Sequence, residues 1–485
     1  MSSKSVIQSN ETFSPKVTIR VVFLALLLDI LAFTIILPLF PRLLQEYQIR
    51  EQGDESTLLS WFLRQIHLFR NTIGGGGTNP KWDLVLLGGA LGSLYSFLQF
   101  VASPFIGAIS DRYGRRNTLL VTMIGNILST LLWLFAKSFG WFVLARIVGG
   151  LSEGNVQLSI AIMSDITTQK TRSEGLALVG IAFAISFTIG PALGAFFASK
   201  DLAKLFPQFV EWGLNPYSMP AFVALILLSV ETFYLYTSLP ETAYISHEKS
   251  SQQEEKFITK NQLQNTLSIS TRKSNLKILN WIHFLYLFFF SGMEFTLTFL
   301  TFDLFDFTNM QNGKLLGYIG ILSALIQGSY RREAYNVGEK LLVVLGIVSC
   351  SIALAVIAFL TGLSNGITWL YVGATFLAFT SATVVNCLTS IASMQCDDER
   401  QLENENSEGS NNVAQNNNII PKGQALGTFR SFGQLGRASG PIAACGLYWM
   451  AGSKICYASG SLAMLIIFII VNFKVPSVQK KLKSE

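Results

Sequence analysis

An acid or a guanidinium inside an apolar segment is costly, and a chain keeps one there for a partner or a task. Asp29 opens DILAFTIILPLFP, Arg146 and Glu153 stand in WFVLARIVGGLSEG, Glu294 interrupts FLYLFFFSGMEFTLTFL, and Arg430 lies in GQALGTFRSFGQLGRASG. A buried carboxylate holds a proton or pairs with a cation, and a buried arginine holds an anion, so the chemistry on offer is binding and proton exchange. Charge is also concentrated in GAISDRYGRR at 107–116, where Asp111, Arg112, Arg115 and Arg116 are spaced by Gly107 and Gly114 between two apolar segments. The three histidines and five cysteines show no metal-ligand spacing, and IVGGLSEG lacks the Lys-Ser/Thr of a phosphate loop. No metal, cofactor or catalytic triad is legible, and the chain does not read as an enzyme.

The elements that carry these charges follow from composition. Half of the 485 residues are hydrophobic, 14% are charged and 37 are Phe, which places the chain among polytopic membrane proteins. At about 20 apolar residues per span, twelve helices are expected near 19–40, 83–106, 117–137, 139–166, 175–199, 216–238, 277–301, 312–330, 339–361, 367–395, 423–449 and 453–473. The expected fold is all-α and integral to the membrane, with two six-helix bundles at 19–239 and 277–474.

A polar linker at 240–276 would join the bundles, with tails at 1–18 and 475–485 and a low-complexity, disordered insert at 396–421. Arg112, Arg115, Arg116, Lys170, Arg172, Arg331 and Arg332 fall in alternate loops, which makes those loops and both termini cytoplasmic. The membrane of residence, plasma or organellar, is not encoded. A net charge of +6 carried mostly by loops and tails informs topology and implies no nucleic-acid partner. In the long loop at 41–82, Leu58, Leu59, Phe62, Ile66 and Phe69 recur at helical spacing, as for a short helix lying on the bilayer surface.

An internal repeat relates the two halves. RSEGLALVGIAFAISFTIGPALG and KGQALGTFRSFGQLGRASGPIAA place Gly190-Pro191 and Gly440-Pro441 at an offset of 250, while Asn155 with SIAIM matches Asn386 with SIASM at an offset of 231. The shift between the offsets is about the size of the low-complexity stretch, so that stretch interrupts one copy of a shared helix pair. Parallel six-helix repeats are an architecture of alternating-access carriers. The X-Gly-Pro sites, with Gly194, would bend their helices by removing a backbone hydrogen bond; whether they are moving hinges or kinked packing is open.

GAISDRYGRR resembles the loop motif of the major facilitator superfamily, with Gly107, Asp111, Arg112, Gly114, Arg115 and Arg116 all matching. ARIVGG at 145–150, GPALG at 190–194 and DILAFTIILPLFP are similar to the fourth-, fifth- and first-helix patterns of its drug:proton antiporters, although Ser186 stands where the fifth-helix motif has glycine. SDITTQKTRSEG, FLYLFFFSGMEFTLTFL and IQGSYRR extend the likeness to the tetracycline-exporter and animal tetracycline-transporter-like branches. The resemblance implies an exporter of small organic solutes, organic anions in the animal branch, coupled to a proton or counter-anion and working as a monomer in the bilayer. It implies a cavity ringed by the first, fourth, seventh and tenth helices, in which Asp29 and Arg146 meet and Glu153 and Glu294 are further candidates.

For the 107–116 loop the expectation is a latch, Asp111 facing the positive end of the eleventh helix. The alternative is a plain topology anchor, which explains the arginines but neither Asp111 nor the glycines. Glu231, on the sixth helix, is expected to snorkel or pack, His283 to sit at the interface, and Phe289, Phe290, Phe295 and Phe299 to face lipid, with an aromatic cavity lining as the alternative. Arg430 would hold an anionic substrate or pair with carboxylates. A facilitative uniporter and a non-transporting receptor of the same fold remain as alternatives.

Overall fold

The structure is a computed structural model and describes residues 14–36, 40–73, 80–200, 202–209, 211–214, 218–243, 268–330, 337–362, 364–396 and 420–475. The outer parts of both tails, most of the 240–276 linker and of the 396–421 insert, Pro38, and Arg331 with Arg332 lie outside the described residues. Within them the chain is helical throughout. In a bilayer every backbone N–H and C=O must find its partner inside the chain, and long helices meet that demand segment by segment.

The helices are α1 (Pro15–Thr34), α2 (Phe40–Arg50), α3 (Leu58–Ile73), α4 (Pro80–Tyr113), α5 (Arg115–Leu134), α6 (Phe139–Ser152), α7 (Asn155–Ile166), α8 (Gln169–Ala198), α9 (Leu202–Leu205) and α10 (Ser218–Ser238). The second half continues with α11 (Ile269–Phe305), α12 (Asn309–Tyr330), α13 (Glu339–Ala358), α14 (Gly366–Met394) and α15 (Lys422–Lys474). Among the described residues nine of these are long and apolar enough to cross a membrane. Each of the twelve segments expected from the sequence falls on helix. Two of them share α15, which turns at Gly452 (φ 83°), and the segment 139–166 is divided into α6 and α7.

That division corrects the expectation of one continuous fourth helix. Glu153 and Gly154 leave helical geometry (Glu153 ψ 88°), and a Cβ on Gly154 would meet Thr122 and Ile106. The backbone therefore breaks where it passes close to α4 and α5.

The two halves meet along α4 with α15, and along α8 with α12 and α14. Small residues permit that approach: a Cβ on Gly107 would overlap the Gly423 carbonyl, and one on Gly427 would lie 2.6 Å from the Ser103 carbonyl. Gly107→Ala is therefore expected to force α4 and α15 apart at a cost of about 1–3 kcal/mol. Gly92→Ala, on the same helix with nothing within 4 Å, should leave thermal stability in detergent unchanged. Equal melting of the two variants would refute the close approach.

The loop at 41–82 folds into two helices rather than one. Tyr47 on α2 is buried between Phe139 and Phe142 and donates to the Ala136 carbonyl at 3.2 Å, and burial pushes its phenol well above the ordinary range. On α3, Leu59 and Ile66 are buried while Trp61 and Leu68 point outward, and Arg70 pairs with Asp83 at 2.7 Å to tie α3 to the first turn of α4. The turn between α2 and α3 is closed by Asp54, whose carboxyl is held below its usual range by the Ser56 hydroxyl and N–H.

Candidate functional site

Two charge clusters emerge, one at the end of the molecule that carries 107–116 and one in its interior. In the first, Gly114 adopts φ +93° and starts α5. No side chain fits there, because a Cβ would collide with the Glu241 carboxylate. That carboxylate accepts the free N–H groups of Arg115 (2.8 Å) and Arg116 (3.1 Å), which satisfies the first turn of α5. Glu241 belongs to LPET at the start of the linker, and its capping role was not read from the sequence.

Asp111 performs the same service for α15. Its oxygens accept Gly423 N–H at 2.8 Å and Gln424 N–H at 2.7 Å across the boundary between the halves. Arg115, almost fully buried, donates to Asp111 at 2.8 Å, to Asp165 at 3.0 Å and to the Ser110 hydroxyl at 2.6 Å. Lys422 stands 3.7 Å from the other oxygen of Asp165. Arg116 donates to the Tyr236 carbonyl at 2.6 Å, whereas Arg112 lies over the Tyr113 ring.

Further contacts join the halves at this end. Ser164 accepts from Ser393 at 2.8 Å, Ser431 donates to the Phe100 carbonyl at 2.6 Å, and Ser173 bonds both Glu339 and Ser390. Glu339 opens α13 after Gly338, whose φ of +93° equals that of Gly114. The two halves thus begin equivalent helices after a glycine of the same φ and fill the following position with opposite charge.

The interior cluster surrounds a cleft of about 500 Å³, counting space open to solvent, lined by Asp29, Phe33, Tyr95, Asn126, Arg146 and Glu153 among others. Its lining residues come from α1, α4, α5, α6, α10 and the break after α6, all in the first half. Of the ring of first, fourth, seventh and tenth helices expected from the resemblance, the first and fourth spans, α1 and α6, contribute to this cleft. Tyr95 donates to Glu153 at 3.2 Å and stacks on Phe33. Arg146 sits 5.2–5.9 Å from the Phe142, Trp133 and Tyr95 ring centroids. The cation that acts on Asp29 and Glu153 is Arg430, reaching in from α15. Asp29 and Arg146 share the cleft, aromatic faces surround Arg146, and Arg430 contributes charge from α15.

Glu294 stands apart, on an exposed face of α11, with Arg437 as its electrostatic partner. Arg430 and Arg437 are two turns apart on α15, so one helix supplies a cation to a carboxylate group in each half. His283 is buried rather than interfacial: it stacks on Phe429 at 4.1 Å, and its Nδ1 lies 2.9 Å from the Phe429 carbonyl. Phe299 is likewise buried, edge-on to Trp449, and Phe295 packs against Gly89.

Of the two expectations for Glu231, packing is the one the structure shows. It does not snorkel; it is fully buried on α10 and accepts from Asn155 Nδ2 at 2.6 Å. Its inward orientation had no sequence signal beyond its being an acid in an apolar run.

At the X-Gly-Pro sites helix continues across both prolines. Gly190 faces Thr34, whose hydroxyl donates to the Ser186 carbonyl at 3.0 Å, close to the carbonyl that Pro191 leaves without a donor. Gly194 is buried on the same helix. Gly440, before Pro441, lies against the Phe288 carbonyl, and a side chain would overlap it.

A helical, multi-pass chain with a charged interior cleft and a capped contact between repeated halves defines a polytopic membrane carrier. The family model of the Major Facilitator Superfamily matches residues 22–401, and the chain belongs to that superfamily. Major facilitator superfamily domain-containing protein 10 of Homo sapiens is 33% identical over 96% of this chain and 95% of its own length. The class B tetracycline resistance protein of Escherichia coli is 24% identical over 79% of this chain and 81% of its own. Among solved structures, the human organic anion transporter MFSD10 (TETRAN) superposes with a TM-score of 0.75 at 31% identity, covering 95% of this chain and all of that one. The proton:xylose symporter XylE (TM-score 0.67, 15% identity, 96% of each chain) shares the fold. The protein is an integral, multi-pass membrane transporter.

Proposed function

We propose that the protein is a secondary active antiporter that exports small organic anions, or drugs of the tetracycline kind, by alternating access, in exchange for protons or a counter-anion. The observation that carries this reading is the interior cluster. Two buried carboxylates, Asp29 and Glu153, lie in the field of one half-buried arginine from the opposite half, so their protonation changes what Arg430 is free to hold. With Glu153 and Asp29 both protonated, Arg430 is available to an anion; with one ionised its charge is neutralised, and with both the cluster is net negative. Arg146, enclosed by rings, gives the same cleft a second cation for an aromatic or carboxylate-bearing solute.

Asp111, on Gly423 and Gln424, acts as the latch that holds the closed end of the carrier, and breaking it is part of every transport cycle. Glu294 with Arg437 is the reserve coupling pair, and Gly190-Pro191 and Gly440-Pro441 are the bending points. In this reading the termini and the 107–116 loop are cytoplasmic and the carrier is a monomer. Support comes from the human relative described as an organic anion transporter and from the more distant tetracycline resistance protein.

The test is uptake of a panel of labelled organic anions and tetracycline into proteoliposomes with an imposed pH gradient, beside counterflow without one. Accumulation against a concentration gradient supports antiport; counterflow without accumulation assigns a uniporter; neither, for every solute, overturns the reading. Deleting residues 400–418 should leave both activities intact, because the first half makes the corresponding connection without such an insert. Loss of monodisperse protein after that deletion would refute the repeat alignment.

A further inference from the structure

The fully buried Glu231 and Asn155, the first residue of α7 after the break, are joined by one hydrogen bond, from Nδ2 to Oε1. The other two heteroatoms of the pair, Asn155 Oδ1 and Glu231 Oε2, are also buried, and neither has a hydrogen-bond partner. With Glu231 ionised both are acceptors, and nothing between them can donate. The helices packed on α10 are α1, α5 and α8, with the short α9 at one end. From α1 comes Asp29 and from the break Glu153; these are the charged groups that act on Glu231, and both are acids. From α5 come uncharged side chains, Met123 lying 3.6 Å from Asn155 Nδ2, and α8 has no titratable residue between 175 and 198.

One hydrogen removes the conflict. Placed on Glu231 Oε2, it would supply the donor that Asn155 Oδ1 lacks while Nδ2 continues to donate to Oε1, an acid–amide pair with complementary groups on both sides. We propose that Glu231 carries this proton and that its pair with Asn155 is a proton-operated clasp fastening α10 to the break between α6 and α7. When the proton leaves Oε2 for an ionised carboxylate of the cluster, Asp29 or Glu153, the O–H bond breaks, the new O–H bond forms on the acceptor, and total charge is unchanged. The clasp then loses one of its two bonds and sets Oδ1 against a carboxylate, so α7 is released from α10. The inference deepens the coupling reading by adding a third acid, but its central claim is a protonation state and stands without any substrate.

The test uses the full-length protein in lipid nanodiscs at pH 7. Infrared difference spectra between wild type and Glu231→Gln should show a neutral carboxylic-acid carbonyl band, sensitive to deuterium exchange, that is present only in wild type. Glutamine reproduces the pair, its amide donating to Oδ1, so the variant should melt within about 2 °C of wild type. Glu231→Leu keeps the burial but strands Asn155, and should melt more than about 4 °C lower. Absence of the band, or a Glu231→Gln protein that melts like the leucine variant or fails to fold, overturns the proposal, since each means that an ionised carboxylate is required. A protein that gives the band but moves no solute in proteoliposomes would refute the transport reading and leave the clasp standing.

Discussion

Gradient-driven accumulation is expected to vanish in Asp29→Asn while exchange of substrate across the membrane survives. A gradient of one pH unit stores about 1.4 kcal/mol per proton and sustains, at one proton per solute, an accumulation of about tenfold. Asparagine fills the same volume and keeps hydrogen-bonding capacity, but it cannot take up or release a proton. The accumulation ratio should fall from about tenfold to about one, with counterflow in the same liposomes remaining measurable. Arg430→Ala should impair both assays, because it leaves Asp29 and Glu153 buried without their shared cation and removes the anion-holding group. Full accumulation by Asp29→Asn would exclude it as the coupling acid and move the assignment to Glu294.

The largest loss of stability is expected from Arg115→Ala. Its guanidinium is the only described group that bridges Asp111 and Asp165, and the Asp165 side chain is 1% exposed. Removing it leaves that carboxylate with Lys422 at 3.7 Å, a distance without a hydrogen bond. Stranding a buried charge costs about 3–5 kcal/mol. By comparison, Asp111→Asn forfeits charge-assisted bonds to two N–H groups, about 1.5–3 kcal/mol, and should loosen the junction without unfolding the chain. The measurement is the thermal midpoint of the purified protein in detergent. Arg115→Ala combined with Asp165→Ala should recover part of the loss, since the stranded charge is gone. A double variant no more stable than the single one would show that Arg115 acts through its other contacts.

What could be read from the sequence divides along a physical line. The length of apolar runs, the charge-bearing loops and the repeated Gly-Pro pairs are properties of segments, and they located the helices and the 107–116 motif. The rotation of each helix about its own axis was not legible. A membrane helix is apolar on its lipid face as well as its packed face, so periodicity does not mark the inner side. His283 was misplaced for that reason, and for Glu231 and Phe299 the inward and outward readings both stayed open. The aromatic surroundings of Arg146 were hidden for a related reason. Arg146 and Asp29 lie at similar depth, but depth is one coordinate of three, and the aromatic residues that enclose Arg146 come from α4, α5 and α6 itself. The break at Glu153-Gly154 was hidden because glycine in a span reads equally as close packing, which it also is. Glu241 was hidden because a helix cap supplied from more than a hundred residues away has no local signature.

Gly452 carries a consequence for anyone building tools on this protein. The last two membrane segments run into each other through a single left-handed residue, φ 83° and ψ 165°, with no neighbouring atom within 4 Å of where a side chain would begin. One glycine joins the two arms of α15, so the direction of the last span depends on that residue's φ and ψ and on the packing of each arm. An epitope tag or fluorophore inserted there would splint the corner and report on its own strain. The exposed 51–57 turn between α2 and α3 is the better place to attach a probe.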